Sequence, residues 1–204
     1  MSMDEFASNL EVQSMESLSL WLERLKPKHR VRVNNIICSF CAELDVQGVQ
    51  DLKTKALLLC HYQDMGESII ARMISQPRRL NPEERDIVQK HPILSAHIFE
   101  SKGIENYIGY DLFEEILYHH ERWDGQGFFE IRGEEIPILS RFLSPINFYV
   151  ALTSDRPHRE AFSHEEAIDQ LHCQSGKRFD PKMVEPVVNV IDNSFATSFN
   201  MTSL

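Results

Sequence analysis

The sequence has little of what three broad classes of protein require. Its 204 residues contain 21 Lys and Arg against 31 Asp and Glu, a formal net charge of −10 with His neutral. A nucleic-acid binder normally presents a basic face, so we expect no nucleic-acid polymer as a partner. The longest apolar runs are too short for a membrane span. Because residues 1–9 carry Asp4 and Glu5 and show no secretory leader, we expect a cytoplasmic protein.

Cysteine is also scarce, with four residues in the chain. Cys38 and Cys41 have the spacing of a zinc or redox motif, but no second pair completes such a site. They lie in a segment with the apolar pattern of an amphipathic helix. We interpret them as buried free thiols, the usual state of core cysteines, and leave a metal or redox role as the alternative.

Glycine occurs only eight times, and the remaining pattern is almost wholly helical. We predict an all-α fold with an N-terminal helix over 1–27, a helical domain over 28–193 and a frayed polar tail over 194–204. The N-terminal helix is expected to pack on the domain, with partner binding as the alternative. Within the domain, apolar periodicity and capping signals predict these segments as helices: 29–45, 52–63, 81–101, 110–121, 137–152, and helices opening at about 164 and 181.

The adjacent residues His119 and His120 are the most informative feature. Consecutive helical residues point about 100° apart, so at most one imidazole faces straight into a core. A polar helix end explains such a pair without a metal. A metal cluster explains why both would converge on one point.

The pair opens the segment His119-His120-Glu121-Arg122-Trp123-Asp124-Gly125-Gln126-Gly127-Phe128. This segment resembles the HHExxDGxGYP signature of HD-GYP domains. Further similarities follow in matching order over roughly residues 29–190, namely a lone His in Lys90-His91-Pro92, an RPYR-like turn from Arg156 to Arg159, and Phe179-Asp180-Pro181. The resemblance implies a helical bundle of the HD superfamily and a site for two or three metals, usually iron or manganese. It also implies hydrolysis of the bacterial messenger cyclic di-GMP, for which the metals activate water and neutralise phosphoryl charge.

Carried over residue by residue, the resemblance implies one nearly complete metal position and one depleted position. Asp64, His91, His119 and His120 match the ligands of the first. The second keeps His29 and shares Asp64, but Gln63 stands where the family has the His of its His-Asp pair, and Asn147 where it has a late Asp. Neutral amides are poor ligands for a transition metal. We therefore expect one divalent transition metal, iron or manganese rather than zinc, and doubt a second.

Two other positions bear on this alignment. Glu67 replaces a Lys that reaches toward substrate phosphate, and at about 4 Å this swap is worth about 1 kcal/mol even in bulk water. His61 lies close enough in sequence that a helix irregularity could bring it to the place of Gln63, which is the alternative register. The resemblance also implies ligand contacts from these residues: Arg122, Asp124, Gly125, Arg156 and Arg159.

Three functions remain open from the sequence. The first is a degenerate, catalytically impaired domain that binds a cyclic dinucleotide or another nucleotide, or a signalling protein partner. It rests on the combined changes at Gln63, Glu67, Asn147 and Phe129, the last standing where the family signature has Pro. The second is an active metal-dependent phosphohydrolase with an altered site, supported by the retained His and Asp residues. The third is a protein-binding domain without a metal. We favour the first.

Overall fold

The computed structural model describes residues 27–43, 49–74, 76, 78–101, 111–155 and 159–201. Within these ranges the regular secondary structure is helical, as the all-α prediction requires, and the bridge residues Arg159, Ser175 and Phe179 belong to no extended strand. The α-helices are α1 Pro27–Glu43, α2 Val49–Tyr62, α3 Ala71–Ile74, α4 Pro82–Val88, α5 His91–Ser101, α6 Asp111–Leu117, α7 Ile138–Leu152, α8 His164–Cys173 and α9 Pro181–Met201. Two 3₁₀ helices occupy Met65–Ser68 and Gly133–Glu135. Among the described helices, none combines the length and the apolar character needed to cross a bilayer.

Helix α7 forms the centre of the bundle. It packs against α1, α2, α6, α8 and α9, and its buried residues include Leu143, Ile146 and Val150, none of which is exposed to solvent. Val33 and Ile37 of α1 and Leu59 of α2 face the same core. Because the apolar positions of these helices recur at helical spacing, each helix buries one face and leaves the other to solvent.

Two helix starts follow the capping pattern expected from the sequence. The Asn81 side chain accepts a hydrogen bond from the Glu84 backbone N–H, and the Glu84 carboxylate accepts one from the Asn81 N–H. Ser163 and Glu166 form the same reciprocal pair at the start of α8. Each pair satisfies backbone donors that a helix terminus leaves open.

The single helix predicted over 81–101 is wrong, because it breaks at residues 89–90 into α4 and α5. Pro92 is the physical cause, since it has no N–H to give to the Val88 carbonyl one turn earlier. The imidazole of His91 takes this role, with its Nδ1 lying 2.8 Å from the Val88 oxygen. The break therefore orients a candidate ligand.

The C-terminal boundary differs from the sequence prediction as well. Helix α9 continues to Met201, past residue 194 where a frayed tail was expected. The Phe195 ring stacks on His164 with centroids 4.1 Å apart, and His164 also contacts Asp192 and the Tyr149 hydroxyl. The Phe195 contact anchors the start of this extension, and together these contacts leave the His164 side chain only 13% exposed. Residues 1–26, which carry the predicted N-terminal helix, lie outside the described part of the chain.

The four cysteines are free thiols. Cys41 is buried and Cys38 is half-buried on α1, close to the expectation from sequence. Burial raises the pKa of the Cys60 thiol to about 12, with a smaller contribution from the Asp64 carboxylate. A thiol in that state is neutral and packs as a small apolar group.

Candidate metal centre

His91 and His119 each direct their Nε2 atom toward one shared point. The Nδ1 atom of His119 lies 2.7 Å from the Ile116 carbonyl oxygen, three residues earlier, as Nδ1 of His91 does from Val88. A carbonyl only accepts, so each Nδ1 donates its proton and each Nε2 in the neutral ring carries a lone pair. The two Nε2 atoms lie 3.3 Å apart. Two lone pairs at this distance suit a cation between them.

His120 completes a group of three imidazoles. One ring nitrogen each from His91, His119 and His120 lies within 4.8 Å of the others. Burial, followed by the neighbouring His119 and His91, holds the pKa of His120 well below its usual range. His120 is therefore neutral at physiological pH, which is the protonation state that binds a metal.

Asp64 supplies a carboxylate to the same point. Its Oδ1 lies 3.5 Å from Nε2 of His91 and 3.8 Å from Nε2 of His119. Burial alone would lower the pKa of His91, but the hydrogen bond and the charge of Asp64 raise it above its ordinary value. We call Asp64, His91, His119 and His120 the His/Asp cluster.

The residues expected at the second metal position line the same cavity as most of the cluster. The cavity has a volume of about 380 Å³, and its walls include His29, Gln63 and Asn147. The Asn147 amide nitrogen donates to the Gln63 side-chain oxygen over 3.4 Å. The Oδ1 atom of Asn147 is buried and has no hydrogen-bond partner among the described residues. These two amides contact each other at the positions where the resemblance to HD-GYP domains places a carboxylate and an imidazole.

His61 points elsewhere, since its Nδ1 lies 3.3 Å from the Arg30 guanidinium and its ring packs edge-on against Tyr62. It is absent from the cavity walls that the structure describes. The geometry therefore favours the register that places Gln63, rather than His61, beside Asn147.

Two arginines bring positive charge to the cavity. Arg159, predicted from the sequence, donates from Nη2 to the carbonyls of Ala151 and Leu152, and its buried Nη1 has no partner among the described residues. Sequence reasoning missed Arg178, which also lines the cavity. Burial, and next the nearby Arg122, lower the pKa of Arg178, but a guanidinium stays charged at neutral pH. Arg178 directly precedes Phe179-Asp180-Pro181, and this position beside a family motif could have indicated that it lies near the site.

Three of the residues predicted to contact a ligand take part in the turn after the His pair. Arg122 forms a two-point ion pair with Asp124, at 3.0 and 2.6 Å, and Gly125 adopts a positive φ of 76° in the turn that follows. None of these three residues is among the described walls of the cavity. The remaining predicted contact, Arg156, lies outside the described residues.

The carboxylate of Glu121 organises the loop after the His pair. It is buried, at 4% exposure, and accepts backbone N–H bonds from Phe128 at 2.6 Å, Phe129 at 2.9 Å and Ile131 at 3.2 Å. A Cβ atom at Gly127 would lie 2.6 Å from its Oε1, so this position requires glycine. The loop in turn places the Phe128 ring 5.5 Å from the ring of His120.

Comparison with known proteins identifies the family of the chain. A family described as HD domain matches residues 14–183. The chain belongs to the HD domain family. The match begins inside the region predicted as an N-terminal appendage and ends within α9.

Curated relatives carry more specific names. A cyclic di-GMP phosphodiesterase of Thermotoga maritima is 30% identical over 179 residues, which is 86% of this chain and 47% of the relative. A cyclic di-GMP phosphodiesterase of Vibrio cholerae is 34% identical over 124 residues, covering 58% of this chain and 25% of the relative. The chain thus spans between a quarter and a half of the length of these two relatives.

Solved structures share the fold. A cyclic GMP-AMP specific phosphodiesterase of Vibrio cholerae superposes with a TM-score of 0.62 at 19% identity, covering 87% of this chain and 47% of that one. An HDGYP protein of Bdellovibrio bacteriovorus gives 0.61 at 18% identity, with 80% and 51% covered. The HD helical bundle predicted from the sequence is therefore confirmed. HD domains depend on metals, and the imidazole and carboxylate donors of the His/Asp cluster fit a divalent transition metal.

Proposed function

We propose that this HD domain binds one divalent transition metal at the His/Asp cluster and a cyclic dinucleotide in the adjoining cavity, and that it hydrolyses this ligand slowly or not at all. It would act as a cytoplasmic binding module in cyclic di-GMP signalling, passing the bound state to a protein partner. The observation that carries the proposal is the asymmetry of the site. Three imidazoles and Asp64 converge on one point. At the expected second metal position, Gln63 and Asn147 contact each other.

The donor set supports iron or manganese rather than zinc. Three imidazoles and Asp64 give four nitrogen and oxygen donors without a thiolate, whereas the closed four-coordinate sites of structural zinc usually include cysteine. When bound, the metal would neutralise negative charge on a phosphodiester and lower the pKa of a water molecule. Asp64 and the Nδ1 bonds to Val88 and Ile116 keep the imidazoles oriented toward it.

The cavity supports a phosphate-containing ligand. Its volume of about 380 Å³ falls within the range of small-molecule sites. Arg159 and Arg178 contribute two guanidinium groups, which recognise phosphate through paired N–H donors. The chain as a whole has a net charge of −10, so this pair is a local exception that suits an anionic nucleotide. Curated relatives act, by name, on cyclic di-GMP and 3'3'-cGAMP.

The predicted loss of hydrolysis rests on the second position. In two-metal phosphodiester hydrolysis one ion faces the attacking oxygen and the other the leaving oxygen. The buried Oδ1 of Asn147 and the amide of Gln63 are neutral donors, which hold a transition metal poorly beside imidazole ligands. We therefore expect a single strongly bound ion.

Metal content and ligand binding test the proposal directly. We expect the purified chain, prepared without a His tag, to retain close to one iron or manganese ion per chain and to bind cyclic di-GMP by calorimetry with little hydrolysis. His119→Ala with His120→Ala should abolish metal retention. The matched control replaces the exposed His97 and His172 by Ala and should leave it unchanged. Metal-free wild-type protein would contradict the proposal.

A gain-of-function pair tests the asymmetry. Gln63→His with Asn147→Asp restores the two ligand types that the second position lacks, so we expect the metal content to rise from about one to two ions per chain. Unchanged stoichiometry in the folded double variant would show that these residues do not lie at a second metal position.

An active phosphodiesterase is the second candidate. It is favoured by the complete His/Asp cluster and by the buried carboxylate of Glu67 next to it. Rapid, metal-dependent hydrolysis of cyclic di-GMP by the wild type, lost in the His119 and His120 double variant, would establish it and exclude the impaired module.

A further inference from the structure

Glu67 lies in the metal centre itself. One carboxylate oxygen each of Asp64 and Glu67 and a ring nitrogen of His91 lie within 4.8 Å of one another. This second triple shares His91 with the three imidazoles and shares Asp64 with the His/Asp cluster. The Glu67 side chain has little access to solvent, since the residue is 8% exposed. Its carboxylate therefore faces the interior of the site.

The local backbone holds Glu67 there. Asp64 precedes the 3₁₀ helix Met65–Ser68, in which residues three apart are nearly eclipsed, so both carboxylates project from one side. The Gly66 N–H donates to the Ser95 hydroxyl of α5 over 2.7 Å. A Cβ at Gly66 would overlap the His91 carbonyl oxygen, so the turn lies directly against the helix that carries His91.

Two carboxylates this close in a largely buried site repel each other, and a cation bound between them offsets this repulsion. The sequence pattern suggested that Glu67 would repel a bound phosphate. The structure places it beside Asp64 and His91 instead, where its negative charge faces the position of an ion. We propose that Glu67 is a metal ligand, binding the same ion as Asp64 and His91 and adding a second anionic donor at that position.

The spacing of the three donors fits this role. Donors bound to one ion at about 2.1 Å are at most about 4.2 Å apart, and the three donors here all lie within 4.8 Å of one another. The inference rests on the proposed function, since it requires that the cluster binds a metal, but it concerns a residue outside the four of the His/Asp cluster.

The test uses Co²⁺ as the probe, because its absorption bands report coordination. Wild type, Glu67→Gln and a matched control, Glu83→Gln, are titrated with Co²⁺ after removal of metal. Glu83 is exposed on α4. We expect Glu67→Gln to weaken Co²⁺ binding by at least about 10-fold and to change the ligand-field spectrum, while Glu83→Gln matches the wild type. Apo-protein circular dichroism checks the fold, and Glu67→Ala serves if the Gln variant does not fold.

The outcomes separate the two proposals. If wild type binds no Co²⁺, the proposed metal function fails, and this inference with it. If Glu67→Gln, or the substitute Glu67→Ala, binds Co²⁺ with the wild-type affinity and spectrum, only the inference fails. Weaker binding with an unchanged spectrum also overturns the inference. In that case the Glu67 carboxylate would attract the ion electrostatically without coordinating it. Weaker binding with altered bands supports direct coordination.

Discussion

Replacing Glu121 by Ala should destabilise the protein and loosen the loop after the His pair. The carboxylate accepts three backbone N–H bonds, from Phe128, Phe129 and Ile131. Hydrogen bonds to a charged group contribute about 1.5–3 kcal/mol each when both partners are buried. The donors here are part-buried, so water replaces part of the loss and about 1 kcal/mol per bond is the better value. The expected total is about 3 kcal/mol, or a fall in Tm of about 6–12 °C at this chain length.

Urea unfolding followed by far-UV circular dichroism measures this change, and hydrogen exchange locates it. We expect faster exchange of the backbone amides over 126–131, while those of α7 keep their protection. Glu121→Gln retains one acceptor oxygen and should lose about half as much stability. Glu134→Ala is the matched control, because Glu134 pairs with Lys182 at the surface and its loss should leave the midpoint unchanged. A Glu121→Ala midpoint equal to that of the wild type would refute this account of the loop.

Three further predictions concern Gly127, Gly66 and Glu115. Gly127→Ala forces a Cβ against Oε1 of Glu121, so we expect a loss of about 1–3 kcal/mol in urea unfolding; full stability would contradict the close approach. Gly66→Ala should separate the 3₁₀ turn from α5 and reduce metal retention, measured by elemental analysis, and wild-type retention would contradict it. Burial raises the pKa of Glu115 above 4.5, partly opposed by hydrogen bonds from residues 139–140. The raised pKa of Glu115 therefore stabilises the folded state fully at a pH below the pKa that this carboxyl has in the unfolded chain. This stabilisation is lost as the pH rises through the pKa that it has in the folded protein. Wild type should lose more stability than Glu115→Gln from about pH 4.5 to neutrality, and equal slopes in urea unfolding would exclude this.

The sequence could predict the helices because they depend on local and periodic signals, and the resemblance to HD-GYP domains supplied the residues of the His/Asp cluster. Capping at Asn81 and Ser163 is encoded within three residues. The break at residues 89–90 was missed although Pro92 marks it, because helical periodicity continues across it. The extension of α9 beyond residue 194 has no such local signal. Its first contact is the Phe195 ring stacked on His164, which belongs to a different helix.

The sequence alone determined the fold class and the HD resemblance, and it named the four residues that converge in the His/Asp cluster. Tertiary structure decided what each neighbouring side chain does. Arg122 and Asp124 pair with each other rather than line the cavity, and Glu67 faces His91. The physical reason is that residue type fixes which donors and charges exist, whereas their direction depends on backbone turns and on packing between helices distant in sequence.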